Sequence, residues 1–331
     1  MYKTISFLSI AIFYILSTPS TIVCGQNKII DKKVMLHLVN KHKLAFTQGK
    51  VADYIPELGK ANPKAVAFSI TNENGETWSV GDNKQKFTIQ SISKLIALML
   101  AVEENGEEKV FTQMGYYGTH HPFNYFANLD HNGRPLNPMM NAGAIYTTSL
   151  IAGDADEPYQ KILARIRYIT NNPKIDINPT IYESEKATGY RNRGMFYLMK
   201  NYGMIEKEEE VLNNYFRQCS IEIDVEDLSK IAYFIANQGT RYDGDKTHYN
   251  KELMQLIQAQ MLTAGMYEFS GEYARTIALP SKSGVGGGII ATVPNKIGIA
   301  VYNPSLDEHG NSLVGYLILK DFVQEYSLGI F

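Results

Sequence analysis

Cysteine is nearly absent from this chain: Cys24 and Cys219 are the two in 331 residues. Cys24 falls in a segment expected to be cleaved or lipid-modified, which leaves Cys219 without a partner and excludes a disulfide within the mature chain. There is no C-x-x-C and no H-E-x-x-H, and the 7 histidines are scattered, so the sequence points to no metal site and no cofactor. His120 and His121 are adjacent and would point apart in a strand; they read as loop residues. Charge of one sign is also lacking: 32 basic residues stand against 34 acidic ones, a net of −2, with no long run of either. Neither a nucleic-acid surface nor a polybasic membrane patch follows from that balance, and the expected partner is a small molecule. No repeat or low-complexity stretch appears. What is present in quantity is apolar residue, 44% of the chain, enough to bury a sizeable core in one large domain or two intimate ones.

The N-terminus indicates a compartment. Lys3 precedes the apolar stretch Ile5 to Leu16, and Ser17 to Thr21 are small and polar. The stretch is too short to span a bilayer stably and reads as a secretory signal. Val23 and Gly25 fit the positions before a cleavage site, which puts the signal over residues 1–25 and the mature start near Gln26. The protein is then secreted or periplasmic. A lipid anchor at Cys24 is the lesser reading, because bulky Val23 precedes it; an uncleaved anchor or ordinary helix is the bland one.

Chemistry enters at Ser91 and Lys94, an S-x-x-K spacing at the start of the apolar run Leu95 to Val102, which reads as a buried helix. Residues three apart share a helix face, so the Lys94 amine reaches the Ser91 hydroxyl. A partly desolvated ammonium near the positive end of a helix dipole is disfavoured, which lowers the Lys94 pKa. A neutral lysine can deprotonate serine. Lys282-Ser283-Gly284, further on in Leu279 to Gly288, looks like the K-[ST]-G element that accompanies S-x-x-K in serine β-lactamases and penicillin-binding proteins. A glycine-rich hairpin is the alternative for that segment alone.

Six stretches in order, Lys50 to Leu58, Ile89 to Lys94, Asn137 to Ile145, Glu185 to Asn192, Gly265 to Gly271 and Lys282 to Val285, carry a closer likeness. From about Gly49 to the C-terminus the chain resembles the serine-dependent glutaminases of bacteria and animal mitochondria, whose architecture is β-lactamase-like. The resemblance implies an α+β fold of the β-lactamase/transpeptidase kind, an antiparallel sheet flanked by helices with an inserted all-helical lobe. It implies hydrolysis of L-glutamine to L-glutamate and ammonia through a serine acyl-enzyme. Ser91 is then the nucleophile, Lys94 the first candidate base and Tyr267 a relay. Backbone N–H groups of Ser91 and Val285 hold the oxyanion. Glu185 pairs with the substrate ammonium, Asn141 and Asn192 supply amide donors, and Tyr215 adds a hydroxyl. Tyr54 and Gln90 also match the pattern near the pocket. Self-association as a homodimer or homotetramer is a further implication. Export departs from the family's usually cytoplasmic bacterial members. A second departure is Tyr117-Gly118-Thr119-His120, where the family carries a Glu-Pro-Ser-Gly turn before the retained Phe123-Asn124 pair, so the loop from Gly115 to Phe123 is expected to differ in shape.

Periodicity supplies the layout. Lys32 to Lys60 reads as helical. Ala65 to Thr71 and Thr77 to Gly81 form a hairpin across Asn72-Glu73-Asn74-Gly75. Helical patterns dominate from Ser91 to about Gly265, including Tyr159 to Thr170, Glu206 to Gln218, Asp227 to Asn237 and Lys251 to Thr263. Strands return at Arg275 to Leu279, Gly288 to Val293 and Ile297 to Tyr302, and Leu313 to Tyr326 closes the chain as a helix. Residues 26–331 would then make one domain, a sheet lobe of about 26–90 and 266–331 and a helical lobe of about 91–265, with the serine between them. Two other readings of the same motifs stand beside a glutaminase: a penicillin-interacting serine hydrolase or transpeptidase, and a non-catalytic binding or sensing module with a relic site. Against the second of the three, Glu185 with Asn192 suits a free amino acid better than a peptide stem. Against the third, Ser91, Lys94 and Tyr267 are intact.

Overall fold

Asn72 closes the first hairpin, its Oδ1 accepting from the N–H groups of Asn74 (3.0 Å) and Glu76 (2.9 Å). The strands it joins, Ala67–Thr71 and Thr77–Gly81, form one side of a five-stranded sheet in the computed structural model, which describes residues 22–24, 28–122, 125 and 129–331. Across the sheet the order is Thr77–Gly81, Ala67–Thr71, Ile297–Tyr302, Gly288–Val293, Ser281–Ser283, every neighbouring pair antiparallel. The two ends of the chain thus meet on one sheet. Most of the signal expected over residues 1–25 lies outside the described residues, as do Phe123 and Asn124.

Both faces of the sheet are covered, so its inner strands are buried along their whole length. The period-2 alternation sorts the side chains. Phe68, Ile70, Ile289, Ala291, Ile299 and Val301 face a core completed by Met35 and Leu38 of the Lys32–His42 helix and by Ile318, Leu319 and Phe322 of the Leu313–Tyr326 helix. Ala67, Ile290, Ala300 and Tyr302 face a larger core that runs into the helices between the two sets of strands. The Val225–Ala236 helix lies on that face, where Ser229 Oγ is 3.0 Å from Ser69 Oγ and 2.8 Å from Thr71 Oγ1. Behind it the Ser93–Asn105 helix is buried without interruption from Ser93 to Ala101, which makes it the hub of the helical region.

Four local expectations change. The first helix ends at His42; a 3-10 stretch Lys43–Gln48 follows, then Lys50–Val51 pairs with Ser305–Leu306, because this segment turns to lie against the far end of the chain. Arg275 to Leu279 is no strand: Ser270–Thr276 is helical, Ala278 takes a left-handed φ of 57°, and the edge strand starts after Pro280, at Ser281. The helical region is not all helix, since Asp176–Ile177 and Ile221–Ile223 join Phe87–Thr88 in a small antiparallel sheet. Strands of two or three residues carry too little periodicity to be read from sequence. Ser91 stands in a 3-10 turn, Gln90–Ile92, that feeds the helix beginning at Ser93, instead of in the helix itself. His120 and His121 do lie in a loop, their rings 4.1 Å apart.

Among the described residues no helix is long and apolar enough to cross a membrane. Phe322 is fully buried and meets Phe68 edge-on at 5.1 Å between ring centroids. Phe322→Ala should cost about 3–5 kcal/mol of stability by urea unfolding; a smaller loss than about 1 kcal/mol would show that this layer is not tightly packed.

Candidate active site

The turn carrying the serine is held from both sides. On one side Ile89 N–H donates to Ile221 O at 2.9 Å. On the other, the Lys282-Ser283-Gly284-Val285-Gly286 segment presses so closely that a Cβ on Gly284 would stand 2.5 Å from Ile89 O, and one on Gly286 2.3 Å from Thr88 O. That contact explains why glycine is needed there. Between these supports Gln90 adopts φ +47°, and Tyr267, on the segment facing the serine, adopts φ +60°. Two non-glycine residues in left-handed backbone cost roughly 1–3 kcal/mol each and persist because packing over-determines them.

Ser91 opens onto a cavity of about 440 Å³. Tyr54, Gln90, Asn141, Glu185, Asn192, Tyr215 and Val285 line it as well, so eight of the expected site residues share one wall. Lys94 and Tyr267 lie just beneath that lining, both buried. Tyr54 stands at the mouth, half exposed. Sequence reasoning missed Cys219 and the run Thr188 to Arg191, which also line the cavity. A signal existed for both: Cys219 is four residues after Tyr215 on the Glu208–Cys219 helix, and Thr188 is three after Glu185 on the Pro179–Thr188 helix, so each shares a face with a residue already singled out.

Below the lining runs a chain of hydrogen bonds. Lys94 Nζ donates to Met139 O (2.9 Å) and to Asn141 Oδ1 (2.7 Å), and Asn141 Nδ2 donates to Asn192 Oδ1 (3.0 Å). Burial pushes the Lys94 pKa down to about 8, against the attraction of Cys219 and Glu185. Lys282 is also fully buried, donates to Ser283 O at 2.6 Å and stands 4.3 Å from the centre of the Tyr267 ring. Burial, reinforced by repulsion from Lys94, drives its pKa well below that of an ordinary lysine. Burial raises Tyr267 to about 12, while hydrogen bonding with Ser283 and Ser91 pulls the other way. Glu185 is pushed up to about 8 by burial, opposed by hydrogen bonds that include Gln90 Nε2 at 3.4 Å. The site therefore combines two buried amines whose pKa values are lowered with a buried carboxyl whose pKa is raised.

Among the described residues no group of three or more His, Cys, Asp or Glu is placed to hold a metal. In the loop expected to differ in shape, residues 115–122 are held by Tyr117 N–H donating to Leu136 O (2.9 Å) and Asn137 Nδ2 donating to Tyr117 O (2.6 Å).

A five-stranded antiparallel sheet bearing K-S-G at its edge, opposite S-x-x-K entering a buried helix, defines an enzyme of the β-lactamase-like fold. Within that fold the chain belongs to the glutaminase family, amidohydrolases that act on glutamine: the family's sequence pattern matches residues 49–331. A glutaminase of Alkaliphilus metalliredigens is 44% identical over 88% of this chain and 96% of its own, and one of Clostridium tetani is 46% identical over 86% and 94%. Among solved structures, a probable glutaminase of Bacillus subtilis superposes with TM-score 0.84 at 32% identity, covering 90% of this chain and 96% of that one. Another, a Bacillus subtilis glutaminase in covalent complex with 5-oxo-L-norleucine formed by reaction with 6-diazo-5-oxo-L-norleucine, superposes with TM-score 0.82 at 31% identity, covering 91% and 100%.

Gly284→Ala should push the edge segment away from the serine turn and lower kcat about 100-fold with the fold retained. Wild-type turnover in that variant would mean that the close approach is dispensable.

Proposed function

We propose that this chain hydrolyses L-glutamine to L-glutamate and ammonia through an acyl-enzyme on Ser91, with Lys94 as general base and Tyr267 as proton relay. The observation that carries the reading is the state of Lys94. Its amine is buried, its pKa is pushed down to about 8 by burial, and two N–H groups are engaged by Met139 O and Asn141 Oδ1. A neutral amine has two hydrogens and one lone pair, so the lone pair is what remains to accept a proton. Ser91 Oγ attacks the side-chain amide carbon and its proton passes to Lys94. The oxyanion is held by backbone N–H groups of Ser91 and Val285. As the tetrahedral intermediate collapses, the C–N bond breaks and the proton returns from Lys94 to the leaving nitrogen through the Tyr267 hydroxyl, so ammonia departs. Water then cleaves the ester by the same path, releasing glutamate and free Ser91. The covalent complex of the Bacillus subtilis relative with a glutamine-like diazoketone supports a nucleophile in this pocket.

Substrate recognition follows from the hydrogen-bond chain. Asn141 Oδ1 and Asn192 Oδ1 are both occupied as acceptors, which turns the remaining amide N–H groups toward a carboxylate. Glu185 takes the ammonium, braced by Gln90, and Tyr215 and Tyr54 close the polar frame. A zwitterion then has a partner at each charge. We extend the proposal to export, supported by Lys3 and the apolar Ile5 to Leu16 stretch, and to a homodimer or homotetramer, supported by the family resemblance. N-terminal sequencing of the secreted protein and sedimentation of the mature chain test these two points.

Mature protein incubated with L-glutamine should release ammonia, and Ser91→Ala should lose at least about 10⁴-fold of that rate. 6-Diazo-5-oxo-L-norleucine should label Ser91 by mass spectrometry. A fluorescent penicillin adduct on Ser91 without ammonia release would select the penicillin-interacting alternative, and neither signal the non-catalytic one. Because the base acts unprotonated, kcat/KM should rise with pH up to about 8 and level off above it. Protonated Glu185 cannot pair with an ammonium, so the carboxyl contributes in the same direction. Lys94→Arg stays charged and should lose about 10²–10⁴-fold at every pH; near-normal kcat would remove Lys94 as the base. Glu185→Gln should raise KM about 10–100-fold, and an unchanged KM would end the ammonium assignment.

A further inference from the structure

Asn311 is 28 residues from Ser283 in sequence, is fully buried, and accepts a hydrogen bond from Ser283 Oγ at 2.6 Å. Its Nδ2 is also buried and has no hydrogen-bond partner among the described residues. Leaving a buried amide N–H₂ unpaired is costly, and an apolar side chain would not carry that cost. The amide is therefore a poor choice for stability, and the hydrogen bond its side chain makes goes to a residue of the active-site strand. Ser283 is a junction there. Its N–H donates to Gly265 O at 3.3 Å, and its carbonyl oxygen accepts from both Lys282 Nζ (2.6 Å) and Tyr267 OH (3.3 Å).

The turn that carries Asn311 is itself rigid. Asp307 accepts from the N–H groups of His309 (3.0 Å) and Asn311 (2.8 Å), and Ser312 Oγ donates to Asn303 O at 2.7 Å. Asn303 N–H in turn donates to Gly287 O at 3.0 Å, just past Val285. The same turn reaches the Tyr267 segment, where His309 Nδ1 lies 3.3 Å from Glu268 Oε1 and its ring stacks on Phe269 at 4.9 Å. Two residues of one turn thus grip the two segments that must face Ser91.

We propose that Asn311 is a positioning residue for amide hydrolysis: through Ser283 it fixes the carbonyl that orients the Tyr267 hydroxyl and the backbone leading to Val285. The inference rests on Tyr267 acting as relay and Val285 as oxyanion donor. Asn311→Leu removes the amide and keeps the same branching and number of side-chain heavy atoms. Its kcat for ammonia release should fall about 10–100-fold, with KM within about twofold of wild type; the melting temperature is read on the double variant with Ser283→Ala, which leaves neither partner of the bond unpaired and should be unchanged or higher. Ser283→Ala should reproduce the kcat loss, and the double variant should lose no more than the larger single one, because both act through one bond. Wild-type kcat in Asn311→Leu, losses that multiply in the double variant, or a kcat loss in the double variant accompanied by a lower melting temperature would each overturn the proposal. Tyr267→Phe separates the two levels. Full turnover there removes the relay and the positioning role with it, whereas inactive Tyr267→Phe beside unaffected Asn311→Leu removes only the latter.

Discussion

Lys94 is fully buried, and a charge at that position is shut off from bulk solvent. Two carbonyl oxygens, from Met139 and the Asn141 side chain, accept from its amine. Burial lowers the pKa of that amine, and on the proposed mechanism the reactivity of a serine in this site depends on it. The surrounding groups fall into line with it. Asn141, oriented by accepting from Lys94, orients Asn192. Lys282, repelled by Lys94 and equally dry, is driven in the same direction.

Burial has the opposite sign for acids, and the site uses both. The environment that pushes Lys94 down to about 8 pushes Glu185 up to about 8. On the proposed reading, an ammonium that pairs with this carboxyl would bind with loss of its proton. Burial thus acts in opposite senses on the two groups that the proposal makes base and recognition acid, and different elements carry them: Lys94, beneath the cavity lining, on the central helix, and Glu185, in the lining, on the Pro179–Thr188 helix.

Much of this was legible in the chain. The S-x-x-K spacing, the K-S-G run and the order of six short stretches led to the family, and eight of the expected residues share one cavity wall. Long periodic segments such as Lys251–Ala264 and Leu313–Tyr326 were also readable, since many turns of a helix repeat the same pattern. The misses have physical reasons. Ser270–Thr276 is a short helix decided by what it packs against, and the two- and three-residue strands around Ile221 exist only because Phe87–Thr88 reaches them from far away in sequence. Cys219 read as an unpartnered thiol because its role as cavity lining depends on Tyr215 facing inward.

Local chemistry was written in the sequence: which side chains can attack, which can accept a proton, which glycines permit close approach, and that a single buried helix follows the serine. Tertiary structure alone decided protonation and aim. A lysine is a neutral base only when neighbours distant in sequence exclude water from it, and the left-handed turns at Gln90 and Tyr267 hold only while the strand edge and Ile221 press on them. Asn311 shows the limit most plainly. Nothing near it in sequence marks it, and its hydrogen bond to Ser283 appears only when both ends of the chain have joined one sheet.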